Sequence, residues 1–111
     1  MDDVWTRRAD NARVAHEARA RALEAREDKL KKALRDVDEA HAVIRGSTQT
    51  LSWAAGEAFP AGSAPFAGMY EELSALASGA ERELDASADH ARNELRSVYR
   101  GMEEERERYL K

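Results

Sequence analysis

Asp38 and His41 stand three residues apart, a spacing that brings a carboxylate and an imidazole to one face of a helix. Di-iron bundles use a Glu form of that pair, but they need it on two helices together with further inward carboxylates. The remaining histidines are His16 and His90, and Ser87 occupies the place where an acid preceding His90 would have to stand. His41 therefore reads as a half-exposed surface histidine. Cysteine is absent, which removes thiolate nucleophiles, Cys-based zinc sites and disulfides together. No glycine-rich phosphate loop follows a strand pattern, and no Ser/His/Asp grouping appears. The sequence predicts no catalytic residue, no metal site, no cofactor and no enzyme.

A different kind of chemistry is written in "VYRGME", residues 98–103. Tyr99 and Glu103 lie one helical turn apart, with Gly101 between them. By local chemistry alone they form either a recognition pair or a tyrosine flanking an apolar stripe beside a solvated acid. The aromatics divide in the same way. Trp53, Phe59 and Phe66 fall in or beside a Gly/Pro-rich stretch, and Tyr70 follows closely. They either fill the open end of a bundle or present a recognition surface from a loop on a rigid scaffold. Trp5 is expected at the opposite end or against a partner.

Two long helices must position these residues. From Trp5 to Ile44 there is neither proline nor glycine, and Leu23, Leu30, Val37 and Ile44 recur every seven residues, the mark of a one-sided stripe. Glu17–Arg21, Glu27–Lys31 and Asp28–Lys32 support that helix, each acid four residues before a base. The stretch "GSTQTLSWAAGEAFPAGSAPFAG" then collects both prolines and four of the six glycines, and it is the chain's breaker segment. Helix 1 either stops near its start or continues through "TQTLSWAA" to about Gly56. Ser63 is placed to cap a second helix, with Pro65 in its first turn. Beyond it, Met69, Leu73, Leu76, Ala80, Leu84, Ala88, Ala91, Leu95, Val98, Met102 and Tyr109 follow alternating steps of three and four, with one gap near Arg106. The expected fold is all-α: a single helical hairpin over residues 1–111, with helix 1 at about 3–55, a hinge at about 56–65 and helix 2 at about 66–110.

Composition agrees. Charged residues make up 36% of the 111 residues and aromatics 6%, which suits exposed helices around a thin apolar seam. Residues 1–55 carry eleven Lys/Arg against ten Asp/Glu, and residues 56–111 carry seven against twelve. A nucleic-acid binder needs a basic stripe to displace counterions, whereas Lys29, Lys31 and Lys32 are interleaved with acids. No run is apolar enough to span a bilayer, and the charged first residues do not read as a cleavable secretory signal. Two amphipathic helices bury only one seam, and oligomerisation is the usual remedy in chains of this size. The stripe residues Leu23, Leu30, Val37, Ile44, Leu73, Leu76, Leu84, Leu95, Val98 and Met102 are thus expected to complete a four-helix bundle with a second hairpin.

In this context the chain resembles the small W-x-G helical-hairpin superfamily of type VII (ESX) secretion, and most nearly its Ala-rich secretion targets. The likeness covers roughly residues 50–110. "FAG" (Phe66, Ala67, Gly68) stands where the turn motif belongs, with Trp53 nearby in "WAAG", and "YRGME" (Tyr99, Glu103) is similar to the C-terminal Tyr-x-x-x-acid secretion signal. The resemblance implies pairing with another hairpin, either a different encoded neighbour or a second copy. It also implies export in the folded state by a non-Sec route, so that the protein is cytoplasmic before export and secreted or cell-surface afterwards. Tyr99 and Glu103 would join the partner's turn motif as a composite signal for the secretion ATPase, and a secreted toxin or effector would be the associated cargo. A cytoplasmic coiled-coil scaffold, homodimeric as a four-helix bundle, accounts for the same periodicity.

Overall fold

The structure, a computed structural model, describes residues 2–60 and 62–110. Ala61 of the expected hinge and the two terminal residues of the expected 1–111 span lie outside the described residues. The chain is all-helical: α1 runs Asp2–Ala58 and α2 runs Ala64–Leu110, packed against each other as a hairpin. Both arms are longer at the hinge than the periodicity suggests, and the connection shrinks to residues 59–63.

Hydroxyl chemistry explains how α1 crosses the polar stretch. Thr48 donates to the Ile44 carbonyl at 2.7 Å and Thr50 to the Gly46 carbonyl at 2.9 Å, so both hydroxyls are satisfied by the helix itself. Phe59 still donates its N–H to the Ala55 carbonyl at 2.9 Å. Pro60 then disfavours helical geometry at the residue before it, and α1 stops. Ser63 N–H bonds the Pro60 carbonyl at 3.1 Å, closing a four-residue turn in which Gly62 takes φ +81°, a left-handed value that costs glycine nothing. Ser63 also caps α2. Its Oγ accepts from the Phe66 N–H at 3.4 Å and its carbonyl from the Ala67 N–H at 3.0 Å, while Pro65 sits in the first turn, where no N–H is required.

Two compact units divide the hairpin, each built from both arms: residues up to Lys32 with those from Ala91 onward, and Ala33–His90. In the first, Ala91, Leu95 and Val98 are buried and Leu23, Leu30 and Met102 half-buried. A Cβ placed on Gly101 would come within 3.2 Å of Leu23 Cδ2, so glycine there lets the two arms close. Arg26 reaches across to Glu94 at 2.6 Å. In the second unit Ala55 and Ala88 are buried, while Val37, Ile44, Leu73 and Leu84 are half-buried. No large side chain among the described residues is fully buried. The chain exposes 8687 Å² for 12.4 kDa, about 2,500 Å² more than a folded monomer of that mass ordinarily shows.

Candidate interaction surfaces

Tyr99 is 44% exposed on α2, beside Asn93, Arg96 and Arg100 at the edge of an open depression. Glu103 is exposed one turn further on, paired with Arg106 at 3.6 Å, and Arg96 donates to Asn93 at 2.7 Å. Tyr99 and Glu103 are thus accessible neighbours on a continuous helix, which runs past Gly101 without fraying.

The residues singled out as a turn motif are placed differently from one another. Phe66 and Gly68 lie within the first turns of α2, and Trp53 lies in α1, so none of them is in the turn formed by residues 59–63. Phe66 is half-buried, faces Gly56 and stacks on Tyr70 with centroids 6.4 Å apart. Trp53 instead projects outward and is 70% exposed. Packing therefore accounts for Phe66, and display accounts for Trp53. Trp5 is also largely exposed, with the Arg8 guanidinium 5.7 Å from its ring centroid.

His41 bonds across the hairpin, its Nε2 lying 3.1 Å from Asp85 Oδ1. The pairing with Asp38 suggested by spacing gives way to one with the other arm. No group of three or more metal-capable side chains occurs among the described residues.

A cluster at the far end of the first unit escaped the periodicity. Glu105 is buried, and its Oε1 accepts from Arg19 Nε at 2.8 Å and lies 3.0 Å from His16 Nδ1. Arg108 approaches its Oε2 at 3.4 Å, and the His16 ring stacks on Tyr109 at 4.1 Å between centroids. The Arg19 hydrogen bond holds the Glu105 carboxyl below its ordinary value. Burial opposes this, while the His16 contact and the charges of Arg19 and Arg108 reinforce it. The signal was the gap in the α2 stripe: Ala91, Val98 and Glu105 fall seven residues apart, and an acid occupies an inward position.

The remaining feature is a set of exposed apolar side chains on the second unit. Leu51 and Met69 are about half-exposed, Val43 is 65% and Leu76 is 74% exposed. A cleft of about 310 Å³ between Leu51, Ala54 and Ala58 of α1 and Met69 and Leu73 of α2 shows that these five residues share one side of the hairpin. The His41–Asp85 pair marks a polar contact elsewhere in the same unit. Of the stripe expected to meet a partner, Leu23, Leu30, Val37, Ile44, Leu73, Leu84, Leu95, Val98 and Met102 are partly or wholly covered within the chain itself, and Leu76 stands clear. No described helix is long and apolar enough to cross a membrane. No family model, curated protein or solved structure matches the chain.

Proposed function

We propose that this protein is a non-enzymatic pairing module, a helical hairpin that works by packing against a second hairpin, and that its setting is type VII secretion. The observation that carries the pairing is surface economy. A 12.4 kDa chain with 8687 Å² exposed leaves open an area on the scale that one partner contributes to a permanent interface. Part of that area is made of large apolar side chains, including Leu51, Met69 and Leu76. Groups of this kind gain by being covered, at about 25 cal/mol per Å².

The secretion setting rests on Tyr99 and Glu103. They are solvent-accessible and one turn apart on α2, as an address read by another protein has to be. Trp53, displayed near the hinge, is the second element available to such a reader. Export is measured by expressing the chain with its encoded neighbours and a type VII apparatus, comparing wild type with Tyr99→Ala. Secretion of wild type and retention of a normally helical Tyr99→Ala supports the reading. Equal retention of both moves the function to a scaffold that stays in the cell.

A further inference from the structure

We propose that the far end of the first unit carries an anion site, a cleft between the two arms that takes a small polyvalent oxyanion of the pyrophosphate kind. The site is independent of the pairing reading above and stands on the cluster built around Glu105.

Glu105 is the one buried charged side chain among the described residues, and it organises cations from both arms. Its Oε1 accepts from Arg19 Nε at 2.8 Å and its Oε2 from Arg108 Nη1 at 3.4 Å. A guanidinium carries five N–H donors, so each arginine commits one to the carboxylate and keeps the others. Glu105 thereby holds two planar forks in place while neutralising only one of their two charges. The His16–Tyr109 stack stands beside it, and the end of the unit has two clefts of opposite character. Both are walled by His16, Glu105 and Tyr109. One adds Glu24, Glu27 and Arg106. The other, of about 380 Å³, adds Arg13, Arg19 and Arg108 over a floor of Ala9 and Ala12.

In this second cleft three guanidiniums meet one carboxylate, three charges less one, which leaves two positive charges uncompensated even with His16 neutral. Asp10 and Glu104 stand near it without lining it. Asp10 lies 3.8 Å from Arg13, beyond hydrogen-bond reach, and both side chains are more than half exposed, so their attraction is weak. Glu104 is exposed one turn before Arg108. A polyvalent oxyanion answers this arrangement, because paired oxygens accept two N–H groups from one guanidinium and its charge matches the surplus. A monovalent halide offers neither. The volume falls within the range of small-molecule sites, about 300–1,000 Å³.

The test titrates the full chain with sodium pyrophosphate near neutral pH, sodium chloride holding the ionic strength constant. Calorimetry reads the affinity and proton NMR follows the histidine rings. Saturable binding of one anion per chain is expected, with the His16 ring signal moving and the His41 ring signal still. Arg13→Gln removes a side chain that makes no bond to the other arm, and is expected to weaken binding roughly tenfold with helicity unchanged. Asp10→Asn, which removes the competing carboxylate, is expected to tighten it. Arg82→Gln makes the same charge change in the other unit, where Arg82 Nε bonds its own helix, and is expected to leave the affinity as it was. Absence of saturable binding, equal movement of the His16 and His41 signals, or equal losses in Arg13→Gln and Arg82→Gln would each overturn the proposal.

Discussion

Two glycines in the middle of α2 invite the same substitution and should answer it differently. Alanine is favoured over glycine in a helix interior by ~0.8–1.0 kcal/mol, so each replacement starts with that gain. At Gly79 nothing lies within 4 Å of the added Cβ, and the gain is kept. At Gly101 the Cβ meets Leu23 Cδ2 at 3.2 Å and Cδ1 at 3.8 Å, the first of these inside the ordinary carbon–carbon contact distance of about 3.5 Å. Leu23 is half-buried and has to twist aside, at a cost of ~0.5–1.5 kcal/mol for a side chain pushed about 30° off its rotamer. The two effects cancel at Gly101. Thermal unfolding at one fixed protein concentration should therefore show Gly79→Ala melting about 4 °C above wild type, with Gly101→Ala unchanged to within about 2 °C. Adding Leu23→Ala removes the obstruction. In that background Gly101→Ala should recover its full gain, a coupling of about 1 kcal/mol in the double-mutant cycle. If Gly101→Ala raises the melting point as much as Gly79→Ala in the wild-type background, Leu23 does not rest on that stretch of backbone, and the close approach of the arms there is refuted.

Glu105 gives a pH signature. Its folded-state value is depressed, so its stabilisation is fully present above the unfolded-state carboxylate value and is lost as pH falls through the folded value. The melting point of wild type should fall between pH 5 and 3 more steeply than that of Glu105→Gln, and equal slopes would contradict the Arg19–Glu105 bond. Gly62→Ala forces a side chain into φ +81° and should destabilise by ~1–2 kcal/mol, read as a lowered denaturant midpoint with an unchanged slope. No change would mean that the turn relaxes freely.

The helices were legible because their signal is long and repeated: four heptad positions on α1 and alternating three–four steps on α2 survive any local ambiguity. The ends were not. Gly46, Gly56 and the polar run around Thr48 and Thr50 look like breakers in one dimension, yet the hydroxyls bond back to their own helix. The stop waits for Pro60. Ser63 and Pro65 were readable as a helix start because their chemistry is local. The stripe alone could not say which of its members the hairpin itself would cover, since Leu73 and Leu76 differ by only three residues but in the structure one is half-buried and the other exposed. Nor could it say that Glu105 turns inward, because the partners that make burial of a carboxylate tolerable, Arg19 and His16, lie on the other arm.

The hairpin also sets the order in which the chain can close. Gly56 and Phe66, which face each other beside the hinge, are ten residues apart, whereas His16 and Glu105 are separated by 89. Closing the longer loop first would cost about 2 kcal/mol more in chain entropy. Pairing therefore propagates outward from the turn, each contact shortening the span left for the next. Synthesis follows the same sequence. As α2 emerges it meets first the stretch of α1 made just before it, and the His16–Tyr109 stack has to wait for the far larger loop to close.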